Sequence, residues 1–544
     1  MAGSNECSAV PLSPSKHRGV VRSAGGMVAS SHTLASLVGA RVLADGGNAV
    51  DAALAMAAMT SVVLPAQCGL GGDAFAVLYD AGRRQYRAVH GSGVGADGGS
   101  VGFYRDHGFD AVPQRGALSV AVPGAVACMS AMHSGYATME LARLWEPACA
   151  AAEAGVPLTS GNVADATEHR DLLGADQEAS RTYLPDGGVG RPGQLLRQPD
   201  LAATLRAVAG DPRSFYTGEF AERALSVLQD AGAPFSGDEW RRQTAEVVRP
   251  PSVEYAGARV YTTGIPTPGY AVLQQAAILD SLLAPCEWLG SAAVHLMAGA
   301  ARRTITDRVR AVGSDGDAWQ RLLTDEAIAE ARATVLAAQE TPSAAGMRDG
   351  DTTSLVVVDR DGNAVSFIHS VAFTWGSGVM VPGTGVLLNN RAGRSFFLDD
   401  SHPNGVAPGR RPMHTLVAWI AAGSSGAPTL VGGTPGGDGQ IQWNMQLLSH
   451  LLDHGLDVQE AVEAPRFTVY PGTDADTIGK PEELRCEDRL GPFTVDALRR
   501  LGHVVKLVGD WGAGGGAQVI AIDHLEGTLA GGSDPRRDGC ALGI

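Results

Sequence analysis

Apolar residues at Leu34, Leu37, Val38 and Val42 recur at helical spacing, which predicts a helix from about Thr33, with Ser30 and Ser31 standing where an N-cap belongs. Asp45-Gly46-Gly47 stops it. Asn48 then opens AVDAALAMAAMTSVVL, whose almost unbroken small and apolar surface predicts a helix buried on all sides and ended by Pro65. The runs CGLGGDAFAVLYD and YRAVHG are short, apolar and bounded by Gly and Asp, and read as paired strands leading into a sheet.

From Pro123 to about Glu340 the Ala- and Leu-rich stretches broken by Gly/Pro loops predict a mainly helical half. The character changes after Thr353. SLVVVDRDGNAVSFIHSV reads as two strands joined at Asp361-Gly362-Asn363, and LVAWI, APTLVGG, VVKLV and AQVIAID are further strands, with one amphipathic helix at about Ile441 to His454 among them. This order predicts stacked sheets covered by helices on both outer faces. Between the halves, TPSAAGMRDGD (341–351) is small, polar and exposed in character, a segment suited to being cut.

Composition narrows the partners. The 58 acidic against 42 basic residues give a formal charge of −16, which repels nucleic acid and anionic membrane surfaces. Arg391, Arg394, Arg410 and Arg411 crowd one stretch and could reverse the sign locally; solubilising surface charge is the alternative. Seven scattered cysteines without a CxxC pair signal neither a disulfide framework nor a zinc site. No signal peptide and no run of about 20 apolar residues is legible, so a cytoplasmic protein is expected.

The chemistry centres on DGDTTSLVVVD, where a flexible acidic loop runs straight into a hydroxyl residue that begins a strand. Cleavage between Asp351 and Thr352 would place a free α-amine beside the Thr352 hydroxyl. That amine, with an ordinary pKa near 8, could take the hydroxyl proton at neutral pH. Thr352 and Thr353 could equally just start a strand, as β-branched residues do. The second feature is GGTPGGDGQIQWNMQ, which sets Gly436 and Gly437 in a turn entering a helix, where backbone N–H groups and the helix dipole favour an oxyanion.

These fragments, with GMVASSHTLASLVGARVLADGGNAVDAALA, GLGGDAFAVLYD, VAVPGAVA, GSGVMVPGTGVLLNNR, PGRRPMHT, EAVEAPRF and the terminal GGSDPRRDGCA, run in one order along most of the chain. In that order the chain resembles the γ-glutamyltranspeptidase family of N-terminal nucleophile hydrolases, including its cephalosporin-acylase-like branch. The resemblance implies a four-layer αββα sandwich, self-cleavage into a large chain (1–351) and a small chain (352–544) that together form one body, and an acyl-enzyme on Thr352. It implies Ser370 as the hydroxyl neighbour of the nucleophile, Gly436 and Gly437 as the oxyanion turn, Thr353 as the second Thr of the family's pair, and no metal or organic cofactor.

The substrate pocket departs from the γ-glutamyl pattern. Where the specialists carry Asn, Gln, Asp and a Ser-Ser pair, this chain has Ala372, Arg391, Arg394, His414 and Thr415, and the large-chain Arg has no counterpart in GSGVGADGGSVGFY. Arg394 in place of an acid reverses the charge and should repel a glutamyl amine. Two guanidinium forks favour carboxylates, so a small acidic substrate is expected, with an ion pair to Asp399 or Asp400 as the competing use of the arginines. The short stretch from Arg394 to His414 suggests a more open site.

The divergence also resembles the homologues of actinobacterial antibiotic pathways that make 4-alkyl-proline units, which would imply carbon–carbon bond hydrolysis in secondary metabolism. Amide hydrolysis or transfer on γ-glutamyl or cephalosporin-type compounds, and a non-catalytic binding relative, are the alternatives. Two signals fall away on context. Gly93 to Gly98 fits GxGxxG but no long helix follows it, and His450 with His454 lacks HExxH and a third metal ligand.

Overall fold

The computed structural model describes residues 17–337, 352–474 and 477–544; the segment 341–351 expected to be cut, and with it Asp351, lies outside them. Two seven-stranded antiparallel sheets stack face to face. One runs Val21–Ser23, Thr528–Ser533, Gln518–Asp523, Pro428–Gly433, Ala418–Ala422, Ala258–Thr262, Ser252–Tyr255. The other runs Cys540–Gly543, Met27–Ser30, Thr353–Val358, Ala364–Ser370, Asp73–Asp80, Gln85–Gly91, Glu246–Val248. Strand alternation sorts the core. Val356, Val358, Ile368, Phe75 and Val77 meet Ala418, Ile420 and Val431 between the sheets. Leu355, Val357, Val365 and Phe367 face the helices Thr33–Ala44 and Ala49–Val63 on one outer side, and Gly269–Leu279, Ser291–Ala311 and Gly439–Leu452 cover the other. The architecture is the expected αββα sandwich.

Local expectations are met unevenly. Asn48 caps Ala49–Val63 in a capping box with Asp51, and all fifteen residues of that helix are buried. Ser30 and Ser31 do not cap the first helix. Ser30 ends a strand, and His32 is the N-cap, its ring nitrogen accepting from the Leu34 N–H at 3.2 Å. The half expected to be mainly helical also supplies Ser252–Tyr255 and Ala258–Thr262 to one sheet and Glu246–Val248 to the other; Pro250 and Pro251 break that stretch into runs too short to show a period. VVKLV belongs to neither main sheet, since Val505–Leu507 pairs in parallel with Glu483–Cys486 in a small side sheet.

The helix read as amphipathic, Gly439–Leu452, is instead buried on every side from Gly439 to His450, and further helices, Val458–Glu463 and Pro492–Arg500, follow it. Its polar residues misled because they serve neighbouring backbone and an indole rather than water. Gln442 brackets Val469, donating to its carbonyl at 3.0 Å and accepting from its N–H at 2.7 Å, and Asn444 accepts from the Trp419 indole at 2.8 Å. His450 is one of these satisfied groups, accepting from the Trp288 indole at 3.1 Å. The GxGxxG segment leads only into the short helix Val101–Asp106. No described helix is long and apolar enough to cross a membrane.

Candidate active site

The strand Thr353–Val358 pairs with Ala364–Ser370 so that Thr353 lies opposite His369, which leaves Thr352 opposite Ser370. Both are fully buried, and the Thr352 Oγ1 hydroxyl donates to Ser370 Oγ at 3.1 Å. Ser370 Oγ also accepts the Ala372 N–H at 2.9 Å, which fixes its position. Alternation sends Thr353 the other way. It faces the helices beside His369, which bonds to Thr60 at 2.8 Å, and its own buried hydroxyl has no partner among the described residues. The pair of threonines therefore divides, and Thr353 is not in the site.

Pro428–Gly433 crosses above at the same end. A Cβ on Gly433 would come within 2.6 Å of Ser354 Oγ, so any larger residue there would push that hydroxyl aside. The chain then turns through Gly436 and Gly437 into Gly439–Leu452. Gly436 has φ 125° and Gly437 φ 52°, a sequence that suits glycine, and a Cβ on Gly436 would fall 2.0 Å from the Trp443 ring. Trp443 is held by Thr468 Oγ1, which accepts its indole N–H at 2.9 Å, and by Arg466, whose guanidinium lies 5.6 Å from its ring centre. The turn sets Gly436 and Gly437 immediately before the helix Gly439–Leu452, packed against Trp443.

The row Thr352, Ser370 continues across the sheet. Ser370 pairs with Asp73, and because Ala74 pairs with Gly91, Ser92 follows next. Asp73 is the residue that the sequence reading missed. A lone acid opening the apolar run DAFAVLY reads as a strand boundary, yet its side chain is fully buried. Its Oδ1 accepts the N–H groups of Gly93 and Gly124, both at 3.2 Å, and its Oδ2 faces Arg391 Nε at 3.7 Å. That gap is too long for a hydrogen bond. Asp73 Oδ2 and all three guanidinium nitrogens of Arg391 are buried without a hydrogen-bond partner among the described residues. Burial outweighs Arg391 and pushes the Asp73 carboxyl up to about 6, and burial also lowers Arg391 to about 10.

His414 closes the far side. Its Nε2 bonds to Ser92 Oγ at 2.8 Å, its ring packs on Phe75 at 4.7 Å, and Arg308 donates to its carbonyl at 2.6 Å. Burial, then the neighbouring Arg391, holds the ring well below the usual histidine range, so it is neutral. Thr415 is buried nearby, its hydroxyl unpartnered among the described residues.

Arg394 is not the free anion receptor expected. It makes a two-pronged pair with Asp474, 2.8 Å on each prong, donates to the Ala372 carbonyl at 2.8 Å and stacks 4.4 Å from Phe373. Asp474 thereby cancels the charge reversal read from Arg394, and the ion pair is made with it and not with Asp399 or Asp400. Arg411 pairs with Glu246 and Arg410 donates to the Gly405 carbonyl at 2.9 Å, so of the four arginines Arg391 is the one whose guanidinium has no hydrogen-bond partner among the described residues. Nor is the site open, since Thr352, Ser370, Arg391 and His414 have no exposed surface. A polar cleft lined by Arg115, Phe373, Thr374, Trp511, Gly514 and Arg537 adjoins the loop after Ser370. No group of three or more His, Cys, Asp or Glu suited to a metal occurs among the described residues.

Known proteins share this frame. The family model described as gamma-glutamyltranspeptidase matches residues 35–544. The chain is 35% identical to the glutathione hydrolase-like YwrD proenzyme of Bacillus subtilis, over 95% of this chain and 98% of that one. It is 33% identical to the oxamate amidohydrolase proenzyme of Klebsiella pneumoniae, again over 95% and 98%. The crystal structure of cephalosporin acylase from Bacillus halodurans superposes with a TM-score of 0.88 at 30% identity, covering 100% of this chain and 99% of that one. With the family model spanning residues 35–544, relatives above 30% identical along nearly the full length and the same sandwich in the superposed acylase, the chain belongs to the γ-glutamyltranspeptidase family.

Proposed function

We propose that the chain is a proenzyme that cleaves itself between Asp351 and Thr352 and then hydrolyses an amide bond in a small carboxylate-bearing substrate. The observation that carries this is the buried row at one end of the sandwich, in which the Thr352 hydroxyl is bonded to Ser370 at 3.1 Å and followed across the sheet by Asp73 and the unsaturated guanidinium of Arg391. The freed α-amine takes the hydroxyl proton, Thr352 Oγ1 attacks the carbonyl, and the Gly436 and Gly437 amides receive the oxyanion. The amine returns the proton to the leaving nitrogen, and water releases the acid. Arg391 holds the substrate carboxylate, with His414 and Thr415 lining that end, while the polar cleft beyond Phe373 takes the leaving group.

Proenzyme names among the relatives support self-cleavage, and their named reactions, glutathione and oxamate hydrolysis, are amide chemistry. No residue of the site separates carbon–carbon from amide bond hydrolysis, and the relatives' named reactions favour the amide bond. The test is an assay of the purified chain on oxamate, glutathione and a glutaryl-cephalosporin. Expected is turnover of at least one of them, abolished by Thr352→Ala; turnover that survives in Thr352→Ala contradicts the assignment.

A further inference from the structure

Asp73 raises a question that substrate binding by Arg391 does not answer. An acid that neutralises a guanidinium ordinarily closes on it with paired hydrogen bonds, as Asp474 does on Arg394 at 2.8 Å. Asp73 stops 3.7 Å short, tethered instead through Oδ1 to the Gly93 and Gly124 amides. The tether holds Oδ2 beside Arg391 without letting it occupy the fork. Strand spacing sets Asp73 about 9–10 Å from Thr352 across the intervening Ser370, the span of a short acyl chain whose carbonyl is at the nucleophile and whose carboxylate is at Arg391.

We propose that Asp73 is a displaceable counter-ion: the substrate carboxylate takes the Arg391 fork, and Asp73, now beside a second negative charge, takes up one proton from the solvent. The step forms one O–H bond on Asp73 and breaks none in the substrate, so the charge of the pocket is the same before and after binding. It rests on the reading of Arg391 as the carboxylate anchor. Two like charges so close in a buried site cannot both stay ionised, which drives the protonation.

The freed Thr352 α-amine, beyond Ser370 in the row, titrates in the same window but is retained in Asp73→Asn, so the difference between the two proteins isolates Asp73. The remaining groups facing the pair do not supply the proton linkage. Arg394 is neutralised by Asp474, and Arg308 is held by the His414 carbonyl. His414 and His90 are already neutral near pH 7, both lowered mainly by burial, and burial moves Tyr216 upward, away from neutrality. Arg411 is occupied by Glu246.

The probes are glutarate and adipate, titrated calorimetrically into the processed protein at pH 7 in two buffers of different ionisation enthalpy. Expected is uptake of close to one proton per bound anion, with affinity falling about tenfold per pH unit between pH 6.5 and 8. Asp73→Asn, which keeps an oxygen for the Gly93 and Gly124 amides, should bind the same anion without uptake and with a flat pH profile. Binding by the unsubstituted protein with no proton uptake and no pH dependence overturns the counter-ion role while leaving Arg391 as anchor. Failure of both anions to bind overturns the anchor and the counter-ion together.

Discussion

Arg466 and Arg391 are both guanidinium groups buried in this sandwich, and burial lowers both to about 10, but their acidic partners behave in opposite ways. Around Arg466 every charge is saturated. Asp534 accepts from Arg466, from Arg536 at 3.0 Å and from the Ala517 N–H at 3.0 Å, while Glu487 receives the Arg536 fork at 2.9 and 2.7 Å. Burial pushes Asp534 upward, but the two arginines and these amides win and hold it near 2. Asp73 has one arginine beyond hydrogen-bond reach, and burial carries it up to about 6. A saturated cluster is a strut, and here it braces Trp443 under the Gly436 turn; the unsaturated pair of similar burial is where the proposed function seats the substrate carboxylate.

The contrast can be broken by substitution. Arg466→Met should cost about 3–5 kcal/mol in thermal or denaturant unfolding, because it strips buried Asp534 of one of its two guanidinium partners and removes the cation that supports Trp443. Gly436→Ala, forced against the Trp443 ring, should lower kcat by about 10²–10³-fold through loss of the oxyanion turn, read in steady-state kinetics. Asp534, depressed to about 2 from an unfolded value near 3.9, should contribute about 2–3 kcal/mol that is fully present above pH 4 and lost as the pH falls towards 2; unfolding curves across that window report it. Arg391→Met should raise KM for the carboxylate substrate about tenfold or more yet change stability by only about 1 kcal/mol, because Asp73 can neutralise itself by protonation where Asp534 is held ionised. The smallest effect belongs to Thr353→Val, expected to leave the rate within about threefold and stability unchanged or slightly higher, since its buried hydroxyl bonds to nothing described.

Much of this was legible in the order of residues. The all-buried helix Ala49–Val63, the strands on either side of Asp361-Gly362-Asn363, the position of Thr352 and the glycine turn were all readable from period, turn chemistry and motif. What escaped depends on contacts between distant segments. Nothing local marks Asp474 as the partner of Arg394, eighty residues away, and nothing local says that Gln442 and Asn444 spend their polarity on Val469 and Trp419. Thr353 looked equivalent to Thr352 because strand alternation acts only once the register with His369 is set. Asp73 was hidden by its own strand, where a single acid before an apolar run looks like an edge.

The most direct test of the central claim is intact-mass and N-terminal analysis of the purified, active protein. Expected are two chains from one precursor, the smaller beginning at Thr352, with the Thr352→Ala variant remaining a single uncut chain. Full activity in a preparation whose polypeptide is uncut, or whose small chain starts anywhere else, would contradict it.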